Sequence, residues 1–504
     1  MISEKYADMT TKGSIIREFA QYASKRAAEI GKENVYNFTI GNPSVPVCPE
    51  FTETLERMLK EENPLTLHGY SPTLGIMSVR EAVADSLNRR FGMEYTADDI
   101  FMTSGAAGAI AHAIRCVTKP GDEVITFAPY FPEYVPYVDG TGAVLKIVPA
   151  DITSFQINFD AFLELLNPNV QAVLINSPNN PSGIVYSTET IKKLAAILEE
   201  KQKEYGHDIY IISDEPYREI VFEGTDSPFI SSFYDNSICC YSFSKSLSLP
   251  GERIGYVAVN PKCKDAKLIV LMCGQISRFT GHNCPPSMIQ LGVAEVIDKT
   301  ADLSIYEKNK NILYKELTNM GYECVEPGGT FYMFPKTPIA DANAFCRMTA
   351  SKLDLILVPG DSFMCPGHMR LAYRRSIPLD ETRPHQPGLL LPGPARALLE
   401  SCFQPFGSHL PPGTDAIFLR RPIRTRRPRF EQRIRRPRGT GQGPRHQRQR
   451  RHGGSRPGSE ILRLHPARPT YAAQTAHPQR TARPLARSAA RGLQPPGQIG
   501  RAHV

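Results

Sequence analysis

Between residues 98 and 244 the chain sets out short apolar runs at regular intervals, each closing on small or polar residues. The runs are DDIFMTSG (98–105), EVITFAP (123–129), QAVLINSP (171–178), DIYIISDEP (208–216) and SICCYSFS (237–244). They are seven to nine residues long, rich in Val, Ile and Phe, and apolar on both alternating faces, which predicts strands buried on both sides. Helical periodicity fills the gaps, as in SVREAVADSLNRRF (78–91) and STETIKKLAAILEEKQKEY (187–205). The second is amphipathic and opens on a Ser-Thr-Glu-Thr capping signal. Alternation of this kind predicts an α/β protein built on a mostly parallel sheet with helices on both faces. No internal repeat is visible.

The punctuation after the strands carries the chemistry. Ser104-Gly105-Ala106-Ala107-Gly108 follows one run, and Pro178-Asn179-Asn180-Pro181 follows another. Asp214 and Ser242 end two more. Open α/β sheets bind ligands outside the carboxyl ends of their strands, so four strands aim functional-looking residues at one edge.

Composition changes the picture only when the chain is cut. The 504 residues carry a formal charge of +8. Residues 1–373 hold 21 Lys, 12 Arg and 45 acids, a net of −12, whereas 374–504 hold 26 Arg, no Lys and 6 acids, a net of +20. The second segment also has 19 Pro. The body is therefore acidic, and nothing in its charge balance points to nucleic acid. The tail has two readings. One is a disordered basic arm able to contact phosphates. The other is translation out of frame after Tyr373, favoured by the absence of Lys among so many Arg. The last seven residues, 498–504, can be back-translated to a sequencing adapter. The N-terminus has no signal-peptide core and no apolar run reaches eighteen residues, so a cytoplasmic protein is expected. The eleven Cys show no metal-ligand spacing, and the vicinal pair Cys239-Cys240 lies in an apolar run, which predicts buried reduced thiols and no metal.

The most specific stretch is SFSKSLSLPGERIGY (242–256). A lone Lys at a strand end is ordinarily a solvated polar residue. Here hydroxyls flank it and an arginine follows. A desolvated amine can attack a carbonyl to form a Schiff base, and the hydroxyls and Arg253 suit a phosphate next to it. Gly105, Ala106 and Ala107 open a helical run, so their N–H groups also suit an anion.

This string resembles the lysine signature of the class I/II pyridoxal-phosphate-dependent aminotransferases of fold type I, the aspartate aminotransferase-like superfamily. Several further motifs match in order over nearly all of residues 1–373. The resemblance implies a large cofactor-binding domain (46–280) with a mostly parallel seven-stranded sheet. A smaller α/β domain would be formed from 281–373 together with the N-terminal segment 1–45. Lys245 would hold pyridoxal 5′-phosphate as a Schiff base and shuttle the substrate's Cα proton. Asp214, in SDEPY, would pair with the pyridine nitrogen. Tyr217 and Asn180 would bond the ring's phenolic oxygen, and Phe131 would stack on the ring. Gly105, Ala106, Ala107, Ser242, Ser244 and Arg253 would hold the phosphate, with Tyr70 reaching in from a neighbouring subunit of a homodimer. Arg370, in GHMRLAY, would clamp the substrate α-carboxylate, with Gly41 and Asn180 beside it.

The implied activity is ping-pong transfer of an amino group between an L-amino acid and a 2-oxo acid. Other reactions of the same cofactor (β-lyase, racemase, decarboxylase) and a nucleic-acid role for the tail are the alternatives. For the substrate side chain, the stretch 105–108 carries no base, which argues against a strict dicarboxylate enzyme unless a base comes from elsewhere. Met102, Tyr130, Phe131, Phe279 and Phe331 suggest a fairly apolar pocket.

Overall fold

The computed structural model describes residues 2–11 and 14–373; both readings of the tail fall outside the described residues. Seven strands form the main sheet. They are β2 (Ile100–Thr103), β3 (Glu123–Phe127), β4 (Val144–Val148), β5 (Val170–Asn176), β6 (Tyr210–Asp214), β7 (Ser237–Ser242) and β8 (Gly255–Val259), preceded in the chain by the short β1 (Tyr36–Asn37). The spatial order is β2-β8-β7-β6-β5-β3-β4. All neighbours pair parallel except those of β8, which runs antiparallel to both β7 and β2.

Successive side chains of a strand point to opposite faces, and here both faces are covered. From β5, Ala172 and Leu174 enter one core while Val173 and Ile175 enter another. From β7, Ile238 and Cys240 join the first core, whereas Cys239 and Tyr241 face a third, shared with Phe101's neighbours Ile100 and Met102. This two-sided burial is why the runs read as continuous apolar stretches rather than alternating ones. Helix Met77–Phe91 and helix Thr188–Tyr205 fall where periodicity placed them. The second starts at the predicted cap, Ser187, whose Oγ accepts from Thr190 N.

Beyond the main sheet, β9 (Tyr332–Met333), β11 (Val358–Pro359) and β12 (Met369–Ala372) form a small antiparallel sheet. A further strand, β10 (Leu355–Ile356), pairs parallel with β1. Helices Ile15–Ile30, Ser304–Asn319 and Ala342–Leu353 pack on these strands around Phe19, Tyr306, Phe345 and Leu371. Among the described residues no helix is long and apolar enough to cross a membrane.

Candidate active site

The carboxyl ends of β2, β5, β6 and β7 open on a cavity of about 530 Å³. Because β8 is reversed, its first residue, Gly255, pairs with both Ser242 and Thr103 at that same edge. Arg253, two residues earlier, is thereby delivered to the cavity as well.

Lys245 follows the end of β7 on a short helical turn, Phe243–Ser246, and lines the cavity. Its Nζ donates to the Gly41 carbonyl at 2.6 Å and stands 5.5 Å from the ring centre of Phe331 and 5.8 Å from that of Tyr217. Gly41 has to be glycine for this approach, since a Cβ there would collide with Tyr332 Oη.

Asp214 ends β6 and is buried. Tyr134 Oη donates to its Oδ2 at 2.6 Å, and its Oδ1 has no partner. Burial raises this carboxyl from 3.8 to about 7, and Glu215 adds to the rise; the Tyr134 hydrogen bond and the Lys245 charge pull the other way. Asn176, at the end of β5, holds the neighbours together. Its Nδ2 donates to the Asp214 carbonyl at 2.7 Å, and its Oδ1 accepts from Asn180 N at 2.7 Å.

The end of the cavity nearest helix Gly105–Val117 is built from three directions. Gly105 opens helix Gly105–Val117 with φ +80, and Ser104 makes no side-chain cap, so the first N–H groups of that helix are not occupied by their own cap. A Cβ on Gly105 would come within 2.9 Å of Arg253 Nη2. Arg253 itself is held at φ +52, with Nη1 on Pro250 O at 3.0 Å and Nη2 on Ser104 O at 3.1 Å. A left-handed non-glycine residue at this position is strain kept at a functional site. Ser242 and Ser244 share a hydrogen bond at 2.7 Å on the third side.

Arg370 sits in β12 between Met369 and Leu371, which enter the core, so it turns to the other face and the cavity. It is buried, with Nη1 on Asn180 Oδ1 at 2.9 Å and Nη2 on Thr39 O at 2.7 Å. The rings of Tyr332 and Phe363 lie 4.7 and 4.9 Å from its Cζ, and its buried Nε is unpartnered. Tyr217 Oη pairs with Tyr332 Oη at 3.1 Å, and burial pushes its hydroxyl well up.

Of the residues singled out from sequence, Lys245, Asp214, Tyr217, Asn180, Phe131, Ala106, Ala107, Ser242, Ser244, Arg253, Gly41 and Arg370 all line this cavity. Gly105 lies directly behind it against Arg253. Tyr70 does not reach it and is fully exposed, at 104%. Of the five side chains expected to make an apolar wall only Phe131 lines the cavity, where Ile16, Ile40 and Ile110 join it: Met102, Tyr130 and Phe331 are packed in cores, and Phe279 is 92% exposed. Sequence reasoning missed Thr39, Tyr134, Asn176, Tyr332 and Arg17. The polar run INSPNNPSG gave a signal for Asn176. The others stand in ordinary text and are found only by where the fold puts them.

A lysine on a strand end, a buried carboxylate with an unpartnered oxygen and an uncapped helix N-terminus beside an arginine meet at one sheet edge, an arrangement suited to pyridoxal phosphate. The comparisons make the assignment narrower. Residues 33–378 match the family model described as aminotransferase class I and II. The chain is 31% identical over 352 residues to aspartate aminotransferase of Thermotoga maritima, covering 68% of this chain and 88% of that one. It is 29% identical over 372 residues to a probable N-acetyl-LL-diaminopimelate aminotransferase of Bacillus subtilis, covering 72% and 89%. A crystal structure of an aminotransferase from Eubacterium rectale superposes with a TM-score of 0.75 at 42% identity, covering 80% of this chain and 98% of that one. This chain belongs to the class I and II aminotransferases, pyridoxal-phosphate-dependent enzymes that move an amino group between an amino acid and a 2-oxo acid by a ping-pong exchange.

Proposed function

We propose that the cavity is the transamination site, and that each of its residues acts as follows. When bound, pyridoxal phosphate supplies an aldehyde to an amine and an electron-withdrawing ring. The residues present fit it, above all because Asp214 Oδ1 is buried and unpartnered. A protonated ring nitrogen is the donor that this oxygen lacks. The single observation that carries the reading is this orphaned carboxylate standing in one cavity with Lys245 and the Gly105–Arg253 cradle.

Lys245 would hold the cofactor through its Nζ and, with that nitrogen free, would be the base that moves the substrate Cα proton. Asp214 keeps the ring nitrogen protonated, and Tyr134 and Asn176 hold Asp214 in place. Tyr217 and Asn180 orient the ring's phenolic oxygen, and Phe131 lies against its face. Gly105, Ala106, Ala107, Ser242, Ser244 and Arg253 bind the phosphate. Arg370 receives the substrate α-carboxylate on its free Nε edge, with Asn180 and Gly41 beside it. Tyr70 serves the neighbouring site of a homodimer. The large domain spans 46–280, the small domain takes 1–45 and 281–373, and the enzyme works in the cytoplasm on amino acids and 2-oxo acids.

The test is a visible spectrum of the loaded full-length protein during addition of an amino-acid panel, with 2-oxo acid release measured in parallel. Wild type is expected to shift its absorbance and release one 2-oxo acid per cofactor in the absence of an acceptor. Lys245→Ala is expected to abolish turnover. Release of ammonia with pyruvate, or an unchanged rate in Lys245→Ala, would overturn the assignment.

A further inference from the structure

Among the described residues, six charged side chains line the cavity: Arg17, Glu133, Asp214, Lys245, Arg253 and Arg370. On the reading above, on which this inference rests, four of them are committed to cofactor and α-carboxylate. Arg17 and Glu133 remain, and they face each other with Arg17 Nη2 3.9 Å from Glu133 Oε1. Both are solvent-accessible, with side-chain exposures of 78% and 42%. A long, exposed pair of this kind holds little energy of its own, so either partner can be exchanged.

The placement of Arg17 is not that of a drifting surface residue. It lies in the first turn of helix Ile15–Ile30, and this helix is tied down along its length. Ile15 and Phe19 pack into one core and Ile16 against another. Glu18 bonds Arg347 at 2.7 Å, Tyr22 Oη donates to Ala350 O at 3.3 Å, and Arg26 Nε donates to Asp354 Oδ1 at 2.6 Å. With the flanking positions anchored, the helix presents Arg17 and Ala20 to the cavity. The sequence places no base in 105–108, and of the five apolar candidates only Phe131 lines the wall. The cavity therefore offers the part of a substrate beyond Cα one uncommitted cation, set beside an apolar wall that includes Ile16, Ile40, Ile110 and Phe131.

We propose that Arg17 is a specificity-determining residue that binds a second, distal carboxylate of the amino donor or acceptor. A dicarboxylate entering the cavity takes the guanidinium over from Glu133. A planar guanidinium can hold a carboxylate by two parallel hydrogen bonds. Glu133 occupies that place in competition, so it weakens dicarboxylate binding.

The experiment uses the full-length loaded enzyme in two assays. The first compares kcat/KM for aspartate with that for alanine. Arg17→Gln is expected to lower the aspartate-to-alanine ratio by about 10- to 100-fold, the range set by one charge-assisted hydrogen-bonded contact. The loss is expected mainly in KM for aspartate, and Arg17→Lys is expected to recover part of it. The second measures calorimetric binding of succinate and butyrate, which need no turnover. Wild type is expected to prefer succinate, Arg17→Gln to lose that preference, and Glu133→Gln to strengthen it several-fold. Raising salt is expected to erode the preference, because the pair is exposed. Equal losses for both members of each pair in Arg17→Gln, or no succinate preference in wild type, would overturn the inference while leaving transamination intact. A loaded wild type that turns over no amino acid would overturn the transamination reading instead, and the succinate–butyrate comparison would still decide the role of Arg17.

Discussion

Replacing Asp214 by Asn tests the electrostatics of the cavity directly. With the protein's own groups around it, the buried carboxyl titrates at about 7 instead of 3.8. Between these pH values the native chain binds about one proton more than the unfolded chain at this residue. Stability therefore falls as pH rises through that window, and the loss is complete above about pH 7. Roughly three pH units at about 1.4 kcal/mol each make the burden on the order of 4 kcal/mol. Asn has nearly the same shape and can still accept from Tyr134, but it carries no charge to desolvate. In cofactor-free protein, Asp214→Asn is expected to match wild type near pH 4 and to exceed its unfolding free energy increasingly up to pH 7, then by a constant amount. The other titrating groups are common to both proteins and cancel in the difference. Saturation with pyridoxal phosphate is expected to reverse the sign, because the ring nitrogen then gives the carboxylate its counter-charge and Asn cannot replace it. Urea unfolding of both proteins from pH 4 to 9, with and without cofactor, reads the effect. A pH-independent difference in the cofactor-free protein would refute the reasoning, as would a difference between the two proteins that keeps its sign on saturation with cofactor.

Three further outcomes are expected. Arg370→Lys removes the planar donor between Asn180, Thr39 and the substrate, and should cut kcat/KM for every amino acid by at least about 100-fold in steady-state assays. Arg218→Met strips the buried partner from Glu215, now 2.7 Å away, and should cost about 3–5 kcal/mol in urea unfolding, while Glu215→Gln/Arg218→Met recovers most of it. Tyr70→Phe should weaken cofactor affinity in a homodimer. Hybrid dimers of Tyr70→Phe with Lys245→Ala separate the two sites: if Tyr70 serves its neighbour, the intact Lys245 site keeps wild-type cofactor affinity in the hybrid.

The strand ends were legible because the chemistry there needs particular residue types. A covalent amine, a buried carboxylate and a phosphate cradle have few substitutes, so Lys245, Asp214 and the Gly105 region stand out against their apolar runs. Two strands were less visible. Val144–Val148 is an edge strand whose first four positions are exposed or half-buried, so it lacks the continuous apolar character of its neighbours. Gly255–Val259 is apolar throughout, but its antiparallel direction depends on the long turn after Lys245, which periodicity does not describe. Four of the five candidates for an apolar wall failed for a related reason. An aromatic side chain has the same signature in a core as in a cavity wall, and Tyr130 and Phe331 are in cores. Tyr332, Tyr134 and Thr39 were invisible because each acts through another residue, and only tertiary distance makes them part of the site.

The supports also explain why the reacting groups can be as exposed to one another as they are. Each main contact of the cavity is made between segments far apart in sequence: Lys245 with Gly41, Arg370 with Asn180 and Thr39, Asp214 with Tyr134, and Arg253 with Ser104. In every case but Tyr134 the distant partner is a backbone carbonyl or the side chain of Asn180, a residue of the loop after β5 whose own N–H is held by Asn176 Oδ1. A backbone carbonyl loses no side-chain freedom on accepting. The cations are thus aimed by backbone and loop groups rather than by one another, which on the proposed reading would let the anionic groups of cofactor and substrate meet donors already in position. Arg17 differs, since a helix anchored on two cores sets its backbone while its exposed guanidinium keeps the freedom to exchange Glu133 for another carboxylate.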